Sequence, residues 1–286
     1  MEALNIATGS LVWSFTFPTG TSGTNAIAIA NSKVYFAVNT SGGTGNIYAL
    51  NSKNGVLIWT RPATTNASFS NPIALSGALY AAEQPLNTGS APQLDAFNVI
   101  DGSVIWTHQI PGKATTNLAA ANGVIYFGGS STLYAVNESD GTLLWSSQVD
   151  GGPVSTPTLG SGIIYYASAT YYVTAVNASD GSLVWHYLVG KPFAPTVSPA
   201  LYLGGVYIGS MNKPVYALQA SSGNLIWQRP IGVPITTTAS IRNGIIHVGL
   251  IKGTLRTLNV SDGVERWYFH TNGIISTSSP PLLAYF

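Results

Sequence analysis

Residues 135–145 read AVNESDGTLLW: a small apolar pair, Asn137, a polar stretch ending in Asp140 and Gly141, and an apolar run closed by Trp145. Asp followed by Gly between two short apolar runs is a tight-turn signal. Gly takes positive φ without steric cost, and an Asp side chain hydrogen-bonds the backbone two residues on. The phrase therefore predicts a β-hairpin. It returns at 3–13 (ALNIATGSLVW), 49–59 (ALNSKNGVLIW), 96–106 (AFNVIDGSVIW), 175–185 (AVNASDGSLVW), 217–227 (ALQASSGNLIW) and 257–267 (TLNVSDGVERW). Its last position takes every tryptophan of the chain, Trp13, Trp59, Trp106, Trp145, Trp185, Trp227 and Trp267, at intervals of 39 to 47 residues. Such an interval is the period of a four-stranded propeller blade.

Within a period the grammar is strands and turns alone. Before Trp145 the chain runs TTNLAAANG, VIYFGG, TLYAVNE, a turn at Ser139 to Gly141, then TLLWSSQV, with the alternation and the β-branched and aromatic content of short strands. The expected fold is all-β: a seven-bladed β-propeller of four-stranded antiparallel blades, a single domain over 1–286. Each Trp is expected to be an apolar plate filling the wedge between neighbouring blades. The residues after Trp267 and those up to Trp13 together fall one strand short of a full period. The ring is therefore expected to close through both termini, with an incomplete closing blade whose unpaired edges imply a piece of a longer chain; an eight-bladed parent is the alternative.

Composition bounds the function. Charged residues make up 7% of the chain, net charge is +1 and 45% of residues are apolar, so a large core is affordable while a polyanion-binding surface is not. No nucleic-acid partner is expected. Cysteine is absent, which excludes disulfides, thiolate metal sites and a cysteine nucleophile. No run approaches the length of a membrane span or of a signal-peptide core, so no membrane insertion is expected within the chain, and a monomer is.

The seven phrases resemble the repeat of the pyrroloquinoline-quinone-like propeller superfamily, Ala-x-Asp-x-x-x-Gly-x-x-x-Trp, over essentially the whole chain. By that resemblance three settings open: quinone-dependent alcohol and sugar dehydrogenases, a periplasmic lipoprotein assisting outer-membrane protein assembly, and extracellular domains of bacterial receptors and kinases. The sequence departs from the enzyme consensus at Asn5, Asn51, Asn98, Asn137, Asn177, Gln219 and Asn259, where Asp is expected, and lacks the adjacent cysteines usual in the enzymes.

In a propeller the innermost strands line the central channel. Aligned on the second strand, their first positions read Asn71, Asn117, Thr156, Ser198 and Thr238, with Asn25 one residue out of phase and Ser279 in the tail, which predicts hydroxyls and amides around one opening, able to bind a protein, a peptide or a small-molecule ligand. Loops between second and third strands are long at 39–46 and 83–93, which adds Glu83, Asn87 and Gln93 to this upper face. Lys113 and Lys191 in blade connections, with Lys213 and Lys252 in further loops, make the same face modestly basic. Asp101, Asp140, Asp180 and Asp262 sit in hairpin turns at the opposite rim. A quinone with calcium needs several oxygen ligands, normally including carboxylates, and no such set is legible. Asp95 and Glu265 lie on strands without a second acid at matching spacing. The four histidines have no ligand spacing. No catalytic, cofactor or metal residue is therefore assigned. The reading is a non-catalytic recognition or scaffolding propeller outside the cytoplasm, a sensor ectodomain or an envelope scaffold, with a quinone-dependent oxidoreductase as its rival.

Overall fold

A computed structural model describes the chain except residues 6, 24–25, 41–43, 65, 87–89, 149–150, 191–196, 211–213, 252 and 271–286, and except the side chains of 22 and 23. The described residues are strands and turns without a helix. They form seven antiparallel sheets, matching the seven blades expected. Two compact units make up the chain, Met1–Ile125 with Val136–Leu143, and Tyr126–Ala135 with Leu144–Phe286.

In the first unit Glu2–Leu4 pairs with Leu11–Ser14. Next, Lys33–Thr40, Asn46–Asn51 and Leu57–Pro62 follow in order, with Thr21–Gly23 and Ala28–Ala30 both on the inner edge. Then Ala78–Pro85, Gln93–Asn98 and Val104–Gln109 follow in order, with Ala67–Phe69 and Ile73–Leu75 on the inner edge. In the second unit each sheet is a plain four-stranded meander. The last of them runs Ser240–Arg242, Ile245–Leu250, Thr254–Asn259 and Glu265–His270. The expected ring closure involves 271–286, outside the described residues.

The phrase explains the outer hairpin residue by residue. Its Asn closes the turn: Asn51 Oδ1 accepts from Lys53 N at 2.9 Å, and Gly55 N donates to Asn51 O at 2.9 Å. The Asn51 amide oxygen thus makes the turn bond that an Asp carboxylate makes in the consensus phrase. The pairing register slips just after the first residue of the phrase, a bulge that raises local twist. The slip sets Trp59 opposite Ala49, Trp185 opposite Ala175 and Trp227 opposite Ala217, where a methyl leaves room for the indole.

From Trp13 to Trp227, each indole then covers the turn glycine of the next phrase. A Cβ built on Gly55 would stand 2.6 Å from Trp13, on Gly102 2.7 Å from Trp59, and on Gly181 2.6 Å from Trp145. The indole nitrogen and the second-strand tyrosine converge on one carbonyl there: Trp185 Nε1 at 2.8 Å and Tyr165 Oη at 3.1 Å from Ala220 O. Trp59 and Tyr35 meet Val99 O in the same way, at 3.4 and 3.0 Å. The tryptophans are thus the inter-blade plates read from the sequence. Each offers roughly 150–250 Å² to burial, about 4–6 kcal/mol gross at ~25 cal/mol per Å². Trp267 differs, at 48% exposed, and in its blade His247 takes the place of the tyrosine, 6.3 Å from the indole.

Candidate functional site

The innermost positions singled out in the sequence are tied together within each unit. In the first, the Asn71 amide donates to Asn117 Oδ1 at 2.7 Å. In the second, Ser198 N donates to Thr238 Oγ1 at 3.0 Å, and Thr156 is half-buried. The residue before each position has a different task. Ser70 Oγ accepts from Ala82 N at 2.9 Å, Ser155 Oγ from Ala167 N at 2.9 Å, and Thr237 Oγ1 from Gly249 N at 2.8 Å. That hydroxyl ties the incoming chain to the second strand of its own blade. Asn71, Asn117, Thr156, Ser198 and Thr238 are neutral hydrogen-bonding groups, able to bind a polar chain but not to move a proton. Asn25 and Ser279 lie outside the described residues.

Of the four lysines expected on this face, Lys113 is exposed, while Lys191, Lys213 and Lys252 lie outside the described residues, as does Asn87. The opposing aspartates are turn residues throughout. Asp101, Asp140, Asp180 and Asp262 each accept the backbone N–H two residues on at 2.9 Å. Hydrogen bonds to the ionised form hold all four below the usual carboxylate range.

Glu83 and Gln93, read in the sequence as the two ends of a loop, are paired strand residues. Both side chains turn into the space toward the neighbouring blade, beneath the connection at Ala63 and Thr64. There Glu83, 3% exposed, and Asp95, 2% exposed, line a cavity of about 360 Å³ together with Arg61, Thr64, Gln93 and Thr107. Glu83 Oε1 accepts from Thr64 N at 2.8 Å and from the Thr64 hydroxyl. The Gln93 amide spans the two acids, 3.3 Å from Glu83 Oε2 and 3.1 Å from Asp95 Oδ1. Thr107 Oγ1 donates to Asp95 Oδ1 at 2.7 Å. Burial pushes Asp95 up to about 6, against the lowering hydrogen bonds from Thr107 and Gln93 and with the Glu83 carboxyl adding to the rise. In sequence Asp95 looks solitary because its partner is twelve residues away, on the next strand. The available signal is a second acid at a cross-strand diagonal, which becomes visible only once the register is known.

A larger cleft of about 750 Å³ lies in the second unit beside Tyr165, Val184, Leu203 and Ile226. Its lining is apolar and neutral polar, and Leu203, 88% exposed, holds φ +44° at a turn position where other blades carry Asn or Ser. Among the described residues no group of three His, Cys, Asp or Glu side chains converges as a metal site.

Repeated four-stranded sheets, the wedge tryptophans and the turn glycines define a β-propeller of quinoprotein-like repeats. The family model described as outer membrane protein assembly factor BamB matches residues 1–121, 93–247 and 204–284. The chain belongs to that family. No curated protein matches it in sequence. Among solved structures, BamB from Moraxella catarrhalis is similar with a TM-score of 0.73 at 17% identity, covering 96% of this chain and 81% of that one. A europium-containing methanol dehydrogenase is similar with a TM-score of 0.77 at 10% identity, covering 98% and 76%. A quinohemoprotein alcohol dehydrogenase from Pseudomonas putida HK5 is similar with 0.78 at 12% identity, covering 98% and 64%. At these identities the likeness is one of fold.

A quinone with calcium would need six to eight oxygens around the ion, carboxylates among them. The two adjacent buried carboxyls of the described residues face a gap between blades and already receive Thr64, Gln93 and Thr107. The described innermost positions, Asn71, Asn117, Thr156, Ser198 and Thr238, present amides and hydroxyls. This donor set does not fit the cofactor pair.

Proposed function

We propose that residues 1–286 act as one non-catalytic recognition domain, an envelope scaffold or sensor outside the cytoplasm that binds a protein or peptide through the blade ends carrying Asn71 and Asn117 in the first unit and those carrying Thr156, Ser198 and Thr238 in the second. Membership of the BamB family supports this reading, and the observation that carries it is the chemistry of those positions. They are neutral, half-buried except for the buried Thr238, and able to donate and accept, which suits an extended polypeptide with its alternating N–H and C=O groups. Among the described residues no helix is long and apolar enough to cross a membrane.

The test is site-specific photo-crosslinking in envelope preparations, with the probe at Asn117 or Thr238 and controls at Asp140 and Asp180 in the turns of the opposite rim. Adducts at the first pair and none at the turns support the surface; adducts at the turns alone overturn it. The fold likeness to quinoprotein dehydrogenases, with TM-scores of 0.77 and 0.78, favours quinone-dependent oxidation as the second reading. Titration with pyrroloquinoline quinone and calcium separates the two: a saturable absorbance change with a raised melting temperature supports the oxidoreductase.

A further inference from the structure

The Glu83 and Asp95 carboxyls both lie within hydrogen-bond distance of the Gln93 amide nitrogen, and two carboxylates brought that close can hydrogen-bond to each other only through a proton. Gln93 has one amide nitrogen to divide between them. Thr64 and Thr107 each serve one acid. The pair sits between two blades, in contact with a cavity and almost without solvent, where two adjacent negative charges are strongly disfavoured.

The charged and titratable groups that face it are few. From its own sheet come Glu83 and Asp95 themselves, and from the adjoining sheet Arg61, which lines the cavity. Tyr35 lies in the same inter-blade core but donates to Val99 O. His108 is opposite Leu94 in the register, on the other face of the sheet, and Tyr48 packs against Phe36 and Phe15 on the far side of its own sheet.

We propose that Glu83 and Asp95 form a proton-binding site that fastens the connection at Ala63 and Thr64, and with it the joint between these two blades, when one proton is held, and loosens that joint when the proton leaves. With one proton the acids bridge each other, and Glu83 keeps its bonds to the Thr64 amide and hydroxyl. Without it the two anions repel inside the cavity, water enters, and the Thr64 amide loses its protected acceptor. Burial, with Glu83 beside it, holds the proton on Asp95 up to about pH 6, so the loosening falls on the neutral side of that value. The device does not depend on the recognition function proposed above, because it needs no ligand.

Two measurements on the chain of residues 1–286 decide it. Carbon-13 NMR of Asp-labelled protein reads each carboxyl directly. One Asp titrating near pH 6, while the turn aspartates titrate below their ordinary range, is the expected result. All aspartates ionised by pH 4.5 overturns the proposal in the wild-type chain alone, whatever the variants do. Amide hydrogen exchange, corrected for intrinsic rate, then follows Thr64 and the segment 82–86. Exchange is expected to rise about tenfold or more between pH 5 and 7.5 in wild type and to stay flat in Asp95→Asn, which keeps the shape and cannot ionise. Parallel profiles in the two proteins overturn it. Glu83→Gln is the second variant if Asp95→Asn does not fold, with the same flat profile expected.

Discussion

Gly223 lies against the face of the Trp185 indole so closely that a Cβ built on it would stand 2.6 Å from Cδ2. Two separate demands meet at this glycine, a φ of +72° and an absent side chain. Gly162 has φ +76° with nothing within 4 Å of a built Cβ, so it isolates the first demand. Gly162→Ala is expected to cost about 1–2 kcal/mol, the strain of the left-handed region. Gly223→Ala adds the displacement of Trp185, about 1–3 kcal/mol more. Denaturant midpoints of the two variants check this, and equal losses would show that the indole contact contributes nothing.

Asn71 and Asn117 form a direct amide pair whose remaining oxygen, Asn71 Oδ1, is buried without a partner. Asn117→Ala leaves the Asn71 amide unmatched as well and is expected to cost about 1–3 kcal/mol. Removing both should cost less than the sum of the single changes. A double-mutant cycle by chemical denaturation reads the coupling, and strict additivity would show that the pair is two independent solvated amides.

Tyr80 donates to Glu138 Oε1 at 3.2 Å, and burial, then the negative charge of Glu138, push its hydroxyl up to about 12. Phenolate absorbance during alkaline titration should therefore show Tyr80 still protonated after the exposed tyrosines have ionised. Glu138→Gln removes the charge and should bring the Tyr80 midpoint down. An unmoved midpoint would leave burial as the whole cause.

Acid and base sides of the stability profile pull in opposite directions. The turn aspartates are depressed below 3.8 in the folded chain, so what they contribute is present above that value and lost as pH falls through their folded values. Asp95 is raised to about 6, so its contribution is present below 3.8 and is lost as pH rises through about 6. These groups together place the maximum of their joint contribution at about pH 4, with a decline from there through about pH 6. Melting temperatures in a buffer series at constant ionic strength test it. In Asp95→Asn the decline from pH 4 to 7 should disappear while the acid limb stays.

The fold was legible because the repeat states each local requirement again and again. A Trp facing a small residue across a bulge, an Asn whose side chain closes a turn and a Gly at positive φ are short-range needs, and seven copies in phase leave one architecture that meets them. The carboxyl pair was not legible, since nothing in the spacing of Glu83 and Asp95 relates them until the register of Ala78–Pro85 against Gln93–Asn98 is set. The hydroxyls of Ser70, Ser155 and Thr237 are not distinguishable in the sequence from their neighbours for a related reason. Adjacent residues in an irregular entry to a strand point different ways, and only the second strand shows which one it holds.

What the amino-acid sequence determined by itself is therefore the class of the fold, the role of the tryptophans and turn glycines, and the poverty of charge, all properties of local geometry and composition. Which side chains share a gap between blades follows from long-range pairing and packing. The Glu83 and Asp95 carboxyls share the Gln93 amide because strand pairing brings positions twelve residues apart onto one face of the sheet, and blade packing then takes both out of water.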